Sequence, residues 1–275
     1  MAIAMSSILL YSCKKETIKD LSVNETEGLI KVQEIANDTN VVELYTNSGS
    51  FLLGYNEVYL RIRDKISNSY DTDAVINWNP LMHMMSMTHS CPKSEVEKVA
   101  GKSTLYKGYL VFQMPGNSSE KWTLTLNYET KGIPFVVQDT LSVLNSSRKR
   151  VASFVGADSV KYIVALIAPS APGVAINDMT LGLFAMQNKM SFPVVENYTV
   201  EIDPRMPAMG NHGSPNNVGL TYSAADKLYH GKLSLTMTGY WKINLIVKNP
   251  SADIIKGEAV TDVNESSSLY LELEF

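Results

Sequence analysis

Between Met82 and Cys91, seven of ten residues are methionine, histidine or cysteine: the stretch runs Pro80-Leu-Met82-His83-Met84-Met85-Ser-Met87-Thr-His89-Ser-Cys91-Pro92. A thioether is a soft, neutral donor that binds without first losing a proton and prefers Cu(I). Imidazole is a borderline donor that accepts either copper oxidation state. Alternation along a strand would bury only half of these side chains, and the interleaved Ser86, Thr88 and Ser90 suggest exposure. The expected primary ligands are Met82, Met85 and His89, with Met84, Met87, His83 and Cys91 as further candidates.

A second stretch, Pro204-Arg-Met206-Pro-Ala-Met209-Gly-Asn-His212-Gly-Ser-Pro215, repeats the order Pro-x-Met-x2-Met and then His-x2-Pro, one residue shorter. It offers Met206, Met209 and His212. The match continues downstream. From Pro92 it is 14 residues to Tyr106, 16 to Gly108, 22 to Met114 and 24 to Gly116, and the same steps from Pro215 reach Tyr229, Gly231, Met237 and Gly239. Trp122 and Trp241 follow, the first displaced by a four-residue insertion. The chain is thus a tandem duplication with a unit of about 123 residues, too long for a solenoid repeat and suited to one compact domain. A packing role stays open beside the metal role. Methionine is the adaptable filler of irregular gaps, and Met206 and Met209 are equally suited to plugging the end of a fold. Met114 and Met237 share the buried parity of their strands and are expected in the core.

Other chemistries find little to stand on. No Gly-x-Ser-x-Gly elbow, phosphate loop, dinucleotide fingerprint or His-Glu-x2-His is present, so no enzymatic activity is expected. Zinc would want close pairs of Cys or His. A blue-copper site would want His2Cys and an axial Met drawn from separate strands, not from nine residues of one loop. The net charge of −4 over 275 residues, with 45% hydrophobic and 19% charged, is that of an ordinary globular protein. It leaves no electrostatic footprint for nucleic acid and no polybasic membrane patch.

The elements that must position these loops show a period of two. Leu110, Phe112 and Met114 alternate with Tyr109, Val111 and Gln113; Trp122, Leu124, Leu126 and Tyr128 alternate with Thr123, Thr125 and Asn127. Leu233, Leu235 and Met237, then Trp241, Ile243, Leu245 and Val247, repeat the pattern. Such alternation marks strands with one buried face, and Met114-Pro-Gly116 and Met237-Thr-Gly239 are expected to turn them into hairpins. Further strands are expected at 29–35, 41–45, 58–66, 74–78 and 135–143, and at 152–155, 162–168, 179–190, 198–202 and 268–275. About seven short strands per unit predict an all-β protein of two tandem immunoglobulin-like antiparallel sandwiches. Their expected limits are 29–144 and 150–275, divided at Asn145-Ser-Ser-Arg-Lys-Arg150.

Residues 1–13 carry an apolar run too short to span a bilayer, ending at Leu10-Tyr11-Ser12-Cys13, which resembles a bacterial lipobox with Cys13 as the lipidated residue. Residues 14–28 are then a tether. With Cys13 acylated, Cys91 has no disulfide partner.

The string Met206-Pro-Ala-Met209-Gly-Asn-His212-Gly, followed by Tyr229-His-Gly231 and Met237-Thr-Gly239-Tyr-Trp241, resembles the YtkA-like family and the related FixH-type proteins. The resemblance covers most of the second unit and, less closely, the first. It implies a small extracytoplasmic β-sandwich in membrane-attached proteins linked to copper handling or oxidase assembly. The expectation is a lipid-anchored protein on the periplasmic side of a bacterial outer membrane that captures or relays Cu(I). The alternatives are an interaction module for an envelope protein and a glycan-binding module, for which Trp78 is the candidate aromatic.

Overall fold

The computed structural model describes residues 24–275. Cys13 and the lipobox-like run lie outside the described residues. In chain order the first half holds β1 (Ile30–Ala36), β2 (Asn40–Thr46), β3 (Phe51–Leu52), β4 (Gly54–Asp64), β5 (Val75–His83) and β6 (Thr88–His89). It continues with β7 (Glu97–Lys98), β8 (Tyr106–Phe112), β9 (Lys121–Thr130), β10 (Ile133–Leu141) and β11 (Val143–Leu144). The second half holds β12 (Val151–Val155), β13 (Lys161–Ala168), β14 (Ile176–Ala185), β15 (Thr199–Met206) and β16 (His212–Gly213). After them come β17 (Val218–Ser223), β18 (Leu228–Ser234), β19 (Tyr240–Lys248), β20 (Ile254–Lys256) and β21 (Tyr270–Glu274). The fold is all-β and antiparallel apart from the short parallel pair β3–β11.

The strand order of the first half recurs in the second. One sheet of the first half runs β1-β2-β4-β8-β7, and the second half repeats it as β12-β13-β14-β18-β17. Facing it in the first half is β10-β9-β5-β6; the corresponding strands of the second half are β15 and β19, flanked by β16, β20 and β21. Two pairs between β15 and β17 join the second half's layers into one continuous sheet. Alternation has the expected effect: β9 buries Trp122, Leu124, Leu126 and Tyr128 and leaves the residues between them at least partly exposed. The buried side chains fall into two main clusters, one drawn from Ile35 to Val143 and one from Ala152 to Leu273.

Two expectations are corrected. Met114-Pro115-Gly116 and Met237-Thr238-Gly239 do not close hairpins. β8 pairs with β4 and β7 while β9 pairs with β5 and β10, and likewise β18 and β19 lie in different ladders. Alternation tells which residues point inward but not which strand lies alongside. Here the inward rows come from facing layers, so Phe112 and Trp122 meet edge to face at 4.9 Å. Val111, outward by parity, is fully buried because Ile163, Ala165 and Phe184 of the second half cover it. Residues 24–28 were expected to be part of the tether; they form a turn held to the first half by Glu25, whose carboxylate accepts from the Ser103 and Thr104 amides at 2.6 and 2.7 Å.

Candidate metal-binding hairpins

The Met/His stretches lie on strand ends, not in open loops. Pro80 and Pro204 sit within β5 and β15, paired with Leu124 and Ile243. A proline cannot donate to a ladder and is tolerated where no partner needs its amide. Pro80 precedes the part of β5 that pairs with the edge strand β6, and Pro204 lies between the parts of β15 that pair with β17 and with β16. Two residues later Met82 stands opposite Trp122 on one side and His89 on the other. In the second half Met206 stands opposite His212, and the Arg205–Lys242 pair puts it next to Trp241. The two tryptophans are fully buried and donate from Nε1 to the carbonyls of Met114 and Met237, at 2.9 and 3.1 Å.

This register decides which donors are exposed. Met82 is 0% and Met206 5% exposed, each in the core beside its tryptophan. Gly239 has φ +123, and a Cβ there would come within 3.1 Å of the Met206 methyl, so the turn is shaped around the methionine. Cys91 is also buried, and its slot, two residues after the histidine paired with Met82 and one before the closing proline, is occupied by buried Ser214 in the second half. Burial pushes the Cys91 thiol up to about 12. Met82, Met206 and Cys91 therefore lie where packing, not access, is served, and Met85, 90% exposed at the hairpin tip, stands apart from Met82.

The rest of the first hairpin is better placed. The Met84 amide donates to the Met87 carbonyl at 2.9 Å, closing a two-residue turn at Met85-Ser86. With Met82 opposite His89 and His83 opposite Thr88, this pairing puts Met84, Met87 and His89 on the face of Met82, because side chains alternate along each strand. His83 takes the other face, its Nε2 2.9 Å from Thr123 Oγ1. The His89 Nδ1 lies 2.7 Å from the Ser90 carbonyl. A carbonyl only accepts, so Nδ1 carries the hydrogen and Nε2 of the neutral ring keeps its lone pair. The ring stands edge-on to Trp122 at 5.6 Å. This carbonyl brace is the second contact that orients many metal-binding imidazoles.

Met87 and His89 face a cleft of about 570 Å³ between the halves, which is also lined by Gln113, Met114, Met186 and Phe192. The Ser90 amide donates to the Lys189 carbonyl at 2.8 Å and so ties the hairpin to the second half. Met114 and Met186, read from the sequence as strand positions, were missed as cleft residues. Nothing in either one's local pattern reports the approach of the other half. In the second hairpin Met209 is 57% exposed on the short 3-10 turn Pro207–Met209, and His212 is exposed. Among the described residues no three His, Cys, Asp or Glu side chains gather as a metal site, so a metal held here would depend on thioether sulfur. Trp78 is buried, its indole donating to the Ser94 carbonyl at 2.7 Å, and so is not the exposed aromatic that glycan binding requires.

No protein-family model matches the chain, and no curated protein matches it. Among solved structures it is similar to a conserved domain protein from Bacillus anthracis, at 11% identity and a TM-score of 0.34, covering 89% of this chain and 86% of that one.

Proposed function

We propose that this chain is a non-enzymatic, lipid-anchored protein of the cell envelope, built of two YtkA-like, immunoglobulin-type sandwiches, that captures or relays Cu(I) through the β5–β6 hairpin. The observation that supports this most is the His89 brace: Nδ1 is committed to the Ser90 carbonyl, Nε2 is left as a donor, and the Met84 and Met87 thioethers share its face. Two thioethers and one imidazole are a neutral, soft donor set that suits Cu(I) and offers little to Mg²⁺ or Ca²⁺. Binding should be followed anaerobically under reducing conditions, by competition with a chromophoric Cu(I) chelator and by the rise in melting temperature that a native-state ligand produces. The wild type should take up Cu(I) and His89→Gln should weaken uptake; a wild type that neither competes nor gains stability sinks the proposal.

A second reading rests on its own observation. Met82 and Met206 occupy matching core slots, and the Cys91 slot is filled by Ser214 in the other half, so part of the shared motif serves packing. On this reading the chain is an interaction module, and the exposed hairpin tips at Met85 and Met209 contact an envelope protein. Substituting Met85 by Lys separates the two, because it should abolish a protein contact and leave Cu(I) uptake intact.

A further inference from the structure

Resting on the Cu(I) proposal, we infer that the ion is held between the two halves, by His89 Nε2 and Met87 from the first hairpin, Met114 from the segment after β8, and Met186 from the second half. Three thioethers and one imidazole, all neutral donors, line one cleft of about 570 Å³. They come from three separate chain segments, as built metal sites usually do. No carboxylate lines the cleft. A hard dication would therefore find no compensating charge, whereas a soft monocation needs only polarizable sulfur and an imidazole.

The lysines at the rim, Lys161 and Lys189, are both exposed and keep their ammonium groups in water while their stems cover apolar surface. The side-chain oxygen of Gln113, another lining residue, is buried without a hydrogen-bond partner, an unmet acceptor that a cation or its bound water would satisfy. The cleft is larger than a bare ion. Methionine has three rotatable side-chain bonds, so Met87, Met114 and Met186 can fold inward on an ion that the braced imidazole has anchored. The clamp from the Ser90 amide to the Lys189 carbonyl fixes the hairpin against the half that carries Met186, which keeps the donors from drifting apart.

The second copy makes the same point by contrast. Met209 matches the tip residue Met85 and His212 matches His89, but neither lines the cleft that gathers Met87, His89, Met114 and Met186. A single tight site is expected for the chain, not one per half.

The test uses the full chain with Met114→Leu and Met186→Leu, singly and together, against Met85→Leu and Met209→Leu as controls. Leucine keeps volume and apolarity, and the Trp122 bond to residue 114 uses a backbone carbonyl that substitution retains. Unchanged circular dichroism and metal-free melting temperature establish folding. Anaerobic competition should show one tight Cu(I) per chain, weakened at least tenfold by each cleft substitution and unchanged in the controls. X-ray absorption should lose sulfur scattering in the double variant. If the wild type binds Cu(I) and the cleft variants bind it equally well, the inter-half site is wrong and the hairpin proposal stands. If the wild type binds none, both fall.

Discussion

The deepest commitment of the repeated register is that Trp122 and Trp241 do the same job. Each is fully buried, each stands beside the first methionine of its hairpin, and each donates its indole N–H to the carbonyl of the methionine before the inter-sheet crossing. Truncation to alanine removes the largest buried side chain of each core and leaves a cavity costing about 3 to 5 kcal/mol. It also strands a carbonyl whose lost partner is worth about 1 to 3 kcal/mol where water cannot reach. Alanine should thus cost about 4 to 8 kcal/mol at either site, a large share of the 5 to 15 kcal/mol typical of a domain. Phenylalanine retains most of the volume and loses the N–H, so it should cost less, chiefly the hydrogen bond. Urea unfolding followed by far-ultraviolet circular dichroism gives both numbers. If the halves unfold separately, the Trp122 variants should shift one transition and the Trp241 variants the other. An alanine cost below about 1 kcal/mol at either position, or a difference between them beyond about 3 kcal/mol, exceeds the spread that matched core sites show and would refute the equivalence.

Three further outcomes follow from single residues. The Cys91 thiol, buried and raised to about 12, should resist alkylation at pH 7.5 and react fully only in denaturant; rapid labelling of the native protein would show that the slot is open. Glu43 is buried; burial raises its carboxyl pKa, but hydrogen bonds from Tyr45 and Lys31 outweigh that and leave it below the ordinary 4.5. Its contribution is therefore complete above the unfolded-state value and lost as pH falls through the lowered folded value. Glu43→Gln should cost about 1 to 3 kcal/mol at pH 7 and flatten the acid limb of the stability profile, and an unchanged acid limb would remove Glu43 from that role. Cys13→Ser should move the protein from the membrane to the soluble envelope fraction, and recovery of unprocessed wild type in that fraction would end the lipoprotein proposal.

What the sequence made legible was set by short-range regularity. Period-two alternation identified Trp122, Leu124, Leu126 and their counterparts as inward-facing, since burial of one strand face is a local property of the pleat. The partner of each strand is a long-range property. Thus the step from Leu110, Phe112 and Met114 to Trp122 was expected to be a hairpin, although the two rows face each other from opposite layers. Val111 shows the same limit, because its covering comes from Phe184 and its neighbours, more than fifty residues downstream.

The Met/His stretches suffered from the same blindness in a more consequential way. Sequence put Met82, Met85 and His89 first among seven donors, whereas the β5–β6 pairing sorts them otherwise: Met82 into the core, Met84, Met87 and His89 onto its face of the hairpin, His83 onto the opposite face, and Met85 to the tip. A duplicated motif then need not have a duplicated role. Pro-x-Met fixes how the strand end packs against its tryptophan, and both copies keep that. Whether the residues beyond it meet further donors depends on what lies across from the hairpin. The first copy has the second half as a neighbour, tied through Lys189 and contributing Met186 to the cleft. Copying a unit duplicates its packing at once, while a site between units arises only at the junction the copying creates.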